Sequence, residues 1–127
     1  MTLYVQTSGT QSTGSSSWTP IPGLGFVVAE GVDTMVTIVL NVPNPFSQGV
    51  LFPGGNFGIE VDGKVSAVVA AYSYTERTPP STGRVPTTLA VGVPLIGKPQ
   101  QIRAVWAAAP ESNIIIDTPA SLTAIFG

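Results

Sequence analysis

The residues with the clearest binding chemistry form one short run, Pro79-Pro80-Ser81-Thr82-Gly83-Arg84. The two prolines fix φ at about −65°, and the glycine permits a left-handed turn. Ser81 and Thr82 offer neighbouring hydroxyls, and Arg84 adds a planar set of donors that stays charged. Such a set suits a ligand with closely spaced hydroxyls, such as a sugar ring. The same residue types dominate ordinary polar turns, so a turn without a ligand is the other interpretation.

Further candidates flank this run. Tyr72 and Tyr74 share one face of a predicted strand, where aromatic rings usually pack in a core or an interface, and Tyr74 could instead offer its ring or hydroxyl to a ligand. Ser73 faces the other way, so Ser73 and Tyr74 reach one ligand only if the strand ends or twists there, or if two chains share the site. Asp117 precedes a proline break, and is either a turn acid or an acceptor that could also orient an arginine through a bidentate pair.

An enzyme is not the favoured interpretation. Glu60 and Asp62 lie two residues apart, and a glycosidase needs two carboxyls across a cleft. Asp62 is better explained as a hairpin residue, Glu60 as part of a solvated face, and Arg103 as the outward face of an alternating strand. The chain contains no His and no Cys, which excludes Ser-His-Asp and Cys-His mechanisms. We therefore predict no catalysis, no metal and no cofactor.

The composition limits the number of domains and the classes of binding partner. At 127 residues the chain is most simply one domain, 1–127. Only 9% of residues are charged against 43% hydrophobic, which predicts that some outer surface is buried against other copies, because interface cores are depleted in charge. The net charge is −2 with five Lys and Arg, so no basic stripe exists for nucleic acid and no polybasic patch for a membrane surface.

The N-terminal residues, Met1-Thr2-Leu3-Tyr4-Val5-Gln6, lack the basic and apolar regions of a signal peptide. No apolar run approaches the roughly 18–20 residues that a transmembrane helix needs. We therefore expect a cytoplasmic chain by default. Export by another route, or release on lysis, stays open.

The periodicity predicts an all-β fold. No window shows sustained helical spacing, and Asp62-Gly63 has the form of a two-residue hairpin turn. Segments 11–17 and 46–55 are expected to be loops, and Pro94 is expected to end a strand. Many short strands with regular turns indicate a sandwich or jelly roll. The predicted strands are 3–6, 26–28, 34–42, 56–61, 64–75, 87–93, 101–107, 113–117 and 122–126.

Five segments fall in the order and near the spacing of one family. They are Ile21-Pro22-Gly23-Leu24, Val39-Leu40-Asn41-Val42-Pro43, Phe52-Pro53-Gly54, Ser81-Thr82-Gly83-Arg84, and Ile116-Asp117 through Ala120-Ser121-Leu122 to Ala124-Ile125. From Trp18 onward the chain resembles the TNF-like fucose-binding lectin domain at the N-terminus of a two-domain bacterial superlectin.

This resemblance implies a TNF-like jelly roll that assembles as a homotrimer. It also implies metal-free sites for fucosylated glycans, each lying between neighbouring protomers and directed at glycans on cell surfaces. The positions that match the family's carbohydrate-binding residues, with Asn56 as a substituted one, are Asn56, Ser73, Tyr74, Ser81, Thr82, Arg84 and Asp117.

Three positions depart from the family pattern. Ser73 replaces a threonine and keeps the hydroxyl, Asn56 stands where the family has a tyrosine, and Pro110 stands where it has an arginine. Losing that arginine removes a charged donor, so affinity for fucose is weakened or the preference has moved to another sugar. The alternative from another class is a structural jelly-roll trimer, such as an appendage or coat module, with no sugar ligand.

Overall fold

The computed structural model describes residues 2–29, 32–79 and 83–127, with only the backbone at 32 and 33, and contains no helix within them. Accordingly, no helix in these ranges is long and apolar enough to cross a membrane. The all-β prediction is confirmed. The strands are β1 (Thr2–Gln6), β2 (Gln11–Thr13), β3 (Thr19–Val28), β4 (Val32–Val42), β5 (Phe46–Gly49), β6 (Gly54–Val61), β7 (Lys64–Ser73), β8 (Thr87–Ile96), β9 (Gln100–Ala108), β10 (Ser112–Ile116) and β11 (Ser121–Phe126).

The strands form three antiparallel sheets. The first sheet has the order β1-β11-β4-β8, the second sheet β3-β9-β6-β7, and a small third sheet β2-β10-β5. One buried cluster joins apolar residues of all three sheets, so the two larger sheets enclose a common core. The ends of β5, β7 and β10 lie close together beside this core, and several predicted binding residues lie on them or directly after them.

Alternation along the strands builds the core. Val36, Ile38, Leu40 and Val42 of β4 are fully buried, as the period-two pattern predicts. The second sheet contributes large side chains such as Trp106, 2% exposed. Each such side chain stabilises the fold by about 1.5–3 kcal/mol through the apolar area that it removes from water.

The Asp62-Gly63 hairpin is confirmed. The two residues have φ of 49° and 84°, and both positive values are what a two-residue turn of this kind requires. The Asp62 carboxylate also accepts a hydrogen bond from the backbone N–H of Gln101 at 2.8 Å, which ties the turn to β9.

Several predicted boundaries are wrong, including the start of β3, which lies at Thr19 and not at 26. Pro94 does not end its strand: β8 continues to Ile96, which is tolerated because β8 is an edge strand and needs no donor on its free side. Parts of the two predicted loops are strands, β2 and β5, and both pair with β10. β7 ends at Ser73, two residues early. The Tyr74 N–H still donates to its register partner, Pro53 O, at 2.8 Å, but Pro53 has no N–H to donate in return.

The outer face of the first sheet carries no charged residue from position 35 of β4 onward. Three of its apolar side chains, Tyr4, Met35 and Ile125, are about half exposed in the single chain. The strand register places the following residues on this face: Thr2, Tyr4, Gln6, Met35, Thr37, Val39, Asn41, Thr88, Ala90, Gly92, Pro94, Ser121, Thr123 and Ile125. This uncharged face agrees with the expectation of a surface that other copies cover.

Gly54→Ala is expected to destabilise the fold by about 3 kcal/mol, as overpacking against rigid atoms does. A Cβ on Gly54 would lie 2.2 Å from Tyr72 O and 2.7 Å from the Ser73 Cα, and backbone atoms cannot yield cheaply. The matched control is Gly58→Ala on the same strand, where the Cβ would meet only side chains, the closest at 3.2 Å. Urea unfolding of both variants tests this, and equal losses would contradict it.

Candidate functional site

Arg84 and Asp117 form a bidentate ion pair. Nη1 lies 2.6 Å from Oδ1 and Nη2 lies 3.1 Å from Oδ2. Arg84 precedes β8, Asp117 directly follows β10, and both side chains remain partly open to solvent, at 45% and 35%. Of the two interpretations of Asp117, the structure supports the one in which it orients an arginine.

Residues 44–47, here called the 44–47 segment, contact Arg84 and hold its guanidinium in place. Arg84 Nη1 donates to Asn44 O at 3.1 Å, and the guanidinium carbon lies 4.3 Å from the centre of the Phe46 ring. The Val85 N–H donates to Pro45 O at 2.9 Å, which fixes the backbone next to the arginine. The guanidinium is therefore held by a carboxylate, a carbonyl and an aromatic face before any ligand arrives.

The Tyr74 hydroxyl links the same two segments. It donates to Gly83 O at 2.7 Å and accepts from the Ser47 N–H at 3.0 Å. As predicted, Tyr74 shares a face with Tyr72, and the two rings meet edge to face at 6.1 Å. The Tyr74 hydroxyl thus uses its one donor on the backbone that leads into Arg84. Its contact with a ligand stays a prediction.

Ser47 and Tyr72 anchor this network in the interior. Ser47 is fully buried, and its Oγ lies 2.5 Å from the Tyr72 hydroxyl. Burial raises the pKa of Tyr72 to about 12, and the Ser47 hydrogen bond offsets part of that rise. Tyr72 therefore stays neutral at any physiological pH. Sequence reasoning missed the 44–47 segment because its Pro, Asn and Ser residues are typical of a loop.

The predicted binding residues divide between two places. Tyr74, Arg84 and Asp117 lie together, and we call them the arginine cluster. Asn56 and Ser73, here the outer-face pair, lie on the opposite side of the second sheet: Asn56 pairs with Ala71, and Ser73 pairs with Gly54. These positions alternate with buried Phe57 and half-buried Tyr72, so their side chains point away from the core.

The remaining positions are Ser81, Thr82 and the family departure Pro110. Ser81 and Thr82 lie outside the described residues. Pro110 is exposed in the turn before β10, where the following Glu111 has φ of 61°.

The carboxylates considered for catalysis have structural partners. Arg103 Nε donates to Glu60 Oε1 at 2.8 Å, and its Nη2 contacts the same oxygen across β6 and β9. The prediction of Glu60 as a solvated face is wrong, since its side chain is only 13% exposed. Arg103, predicted as an outward residue, also forms the ion pair with Glu60. Within the three described ranges, no group of three or more acidic side chains could hold a metal ion.

The ion pair sets the charge state of the arginine cluster. The Arg84 hydrogen bond holds the pKa of Asp117 below its usual range, and the same bond raises the pKa of Arg84. A carboxyl with a lowered folded-state pKa contributes stability above its ordinary pKa and loses it as the pH falls through the lowered value. The pair is therefore intact throughout the neutral and mildly acidic range.

Carboxyl-carbon NMR is expected to show Asp117 titrating well below an ordinary aspartate. In the Arg84→Ala variant, the pKa of Asp117 should return toward its usual value, because the hydrogen bond that lowers it is gone. An Asp117 that titrates identically in both proteins would contradict the bidentate geometry.

The sequence matches the family described as Bc2l-C, N-terminal domain, over residues 2–125. The chain belongs to this family. The resemblance to the TNF-like lectin domain of a superlectin is thereby confirmed. The Bc2l-C N-terminal domain family is a family of lectin domains and not a class of enzyme.

Comparison with curated proteins found no match. Two solved structures from infectious bursal disease virus show a distant likeness. The VP2 subviral particle is 12% identical with a TM-score of 0.31, covering 98% of this chain and 36% of that one. The Gx strain structure is 11% identical with a TM-score of 0.30, covering 98% and 37%. The chain thus spans about a third of each, and scores this low support no inference.

Proposed function

We propose that this chain is a carbohydrate-binding lectin domain that recognises fucosylated or related glycans. Its binding sites lie between protomers of a homotrimer with a TNF-like jelly roll, and its partners are glycans on cell surfaces. Membership of the Bc2l-C N-terminal domain family supports the lectin class.

The observation that carries the proposal is the way Arg84 is held. Both Nη1 hydrogens are used, one by Asn44 O and one by Asp117, and Asp117 takes one hydrogen of Nη2. Nε–H and the other Nη2–H form the second edge of the guanidinium, and the structure gives this edge no partner among the described residues. Two parallel donors on a fixed, open edge match two adjacent sugar hydroxyls.

The division of the predicted residues supports a shared site. One protomer presents the arginine cluster, and the outer-face pair lies across the second sheet from it. A single chain does not bring both to one ligand, whereas a neighbour could place its own Asn56 and Ser73 opposite Arg84. The uncharged outer face of the first sheet supplies a surface on which such neighbours can pack.

The strand order supports the jelly-roll architecture. Chain segments alternate between the two larger sheets: β3 lies in the second, β4 in the first, β6 and β7 in the second, β8 in the first, β9 in the second and β11 in the first. This crossing between sheets, with antiparallel pairing throughout, is the connectivity of a jelly roll.

A glycan array with the intact chain tests the proposed function. We expect fucosylated or closely related glycans to bind, weakly per site and more strongly at high glycan density, because three sites act together. No hit at high protein density would contradict a lectin. It would favour the structural trimer, which the uncharged face would serve equally well.

Tyr74→Phe is expected to weaken sugar binding about tenfold, since a lost hydrogen bond to backbone groups is worth about 1–1.5 kcal/mol. The change keeps the ring but releases Gly83 O and the Ser47 N–H, so the segment that leads into Arg84 loses its fixed position. Ser15→Ala, which removes a hydroxyl that likewise donates to a backbone carbonyl and accepts from a backbone N–H, both of Ser17, is the control. Calorimetric titration showing equal affinity in both variants would contradict this role.

A further inference from the structure

The arginine cluster is electrically neutral although it contains a permanently charged guanidinium. Asp117 lies against one edge of Arg84 through two hydrogen bonds, and each carboxylate oxygen takes one of them. No other charged side chain of the described residues forms an ion pair or a hydrogen bond with either group. A ligand on the open edge of Arg84 therefore meets donors, but no net positive charge.

We infer that Asp117 determines the charge of the ligand: the site takes neutral polyols and rejects sugars that carry a carboxylate. This rests on the proposed function and deepens it by naming the ligand class. Asp117 acts by orienting Arg84 and by the electrostatic field of its negative charge. It is therefore a specificity-determining residue rather than a ligand contact.

Like-charge repulsion gives the physical reason. A carboxylate on the open edge of Arg84 would lie about 6 Å from that of Asp117, because the two edges of the guanidinium are adjacent and share Nη2. The attraction to Arg84 would then be largely cancelled by the repulsion from Asp117, while the desolvation cost of the incoming anion remains. A hydroxyl pair has no such conflict, because it needs only the two donors. Discrimination of about tenfold or more against an acidic sugar is expected.

Removing the charge of Asp117 should reverse this preference. Asp117→Asn keeps the size of the side chain and one acceptor oxygen, so one of the two bonds that orient Arg84 survives. The guanidinium then carries an uncompensated charge. Binding of a carboxylate should rise about tenfold, while binding of a neutral sugar should fall severalfold because Arg84 is held less firmly.

The probes differ at one position: methyl α-L-fucoside, and methyl α-L-galacturonide, in which the methyl group of the fucoside is replaced by a carboxylate. Both are titrated into the wild type, Asp117→Asn and Glu60→Gln by calorimetry. Glu60→Gln is the matched control, because it removes the same charge from the Arg103 pair on β6 and β9. We expect the ratio of the two affinities to shift toward the acid only in Asp117→Asn.

A second readout does not depend on sugar binding. Sodium acetate is titrated while the Arg84 Nε–H resonance is followed by NMR; acetate should shift it in Asp117→Asn, and far less in the wild type and in Glu60→Gln. An unchanged affinity ratio, or equal acetate shifts in all three proteins, would overturn the inference. Binding of neither sugar by the wild type would instead refute the proposed function, and the acetate titration would still decide the role of Asp117. Asp117→Ala serves in the same titrations if the Asn variant unfolds.

Discussion

Arg84→Ala is expected to lower sugar affinity by at least about a hundredfold, and to leave the fold intact. The change removes two charge-assisted donors, each worth about 1.5–3 kcal/mol, from the open edge of the guanidinium. Arg84 is partly exposed and contributes nothing to the buried core, so stability should change little. Calorimetric titration and thermal unfolding of the same preparation measure both effects.

Two further variants sharpen that test. Arg84→Lys keeps the charge but loses the planar pair of donors, so it should restore only a small part of the affinity. Arg77→Ala, an exposed arginine on the same connection between β7 and β8, should bind as the wild type does. Unchanged affinity in Arg84→Ala, or an equal loss in Arg77→Ala, would show that the sugar does not bind through the Arg84 guanidinium.

Thr37→Lys is expected to convert the proposed trimer into monomers and to abolish sugar binding with it. Thr37 is exposed in the single chain and lies on β4, between β11 and β8, in the middle of the uncharged outer face. Assembly would bury three unpaired ammonium groups near one another, which costs several kcal/mol for each. Light scattering should show the mass fall from about three times 13.1 kDa to 13.1 kDa.

The control for this change is Val27→Lys. Val27 is 57% exposed on β3, at the edge of the second sheet and away from the uncharged face. It should leave both the mass and the affinity unchanged. A wild-type chain that is already monomeric, or a Thr37→Lys monomer that still binds sugar at full affinity, would contradict a site made by two protomers.

Local patterns were sufficient to predict the regular part of the fold. The period-two run in β4 identifies four fully buried residues, and Asp62-Gly63 identifies a turn whose two positive φ values match. These features depend on neighbouring residues alone. The Ala-rich run 67–71 likewise lies in a strand, β7, as its β-branched and aromatic neighbours predict.

The rest depends on contacts between residues far apart in the sequence. Phe46 and Ser47 form part of strand β5 only because β5 pairs with β10. The contact of Phe46 with Arg84 depends on that pairing. The Glu60–Arg103 pair joins residues on adjacent strands, so neither could be recognised as a partner from its own surroundings. For Asp117, the chemistry of a carboxylate allowed an arginine partner, but only the fold identifies Arg84.

Two of the three family departures, Asn56 and Pro110, change the chemistry available at their positions. Asn56 belongs to the outer-face pair, where an amide can donate and accept but offers no ring to a sugar. Pro110 has no side-chain donor and lies exposed before β10. Arg84 therefore remains the sole guanidinium among the predicted binding residues, and the proposed affinity depends on it more than in a site with two arginines.

A subunit-mixing titration tests the central claim, a sugar site shared by two protomers, most directly. Two variants that each bind poorly, Arg84→Ala and the double variant Asn56→Ala with Ser73→Ala, are unfolded, mixed in equal amounts and refolded together. Every mixed trimer then contains one interface with both halves intact, so about one site in four should bind with wild-type affinity. Each variant refolded alone should bind no better than before. A mixture that gains no sites would contradict the shared site and place the whole binding surface on one protomer.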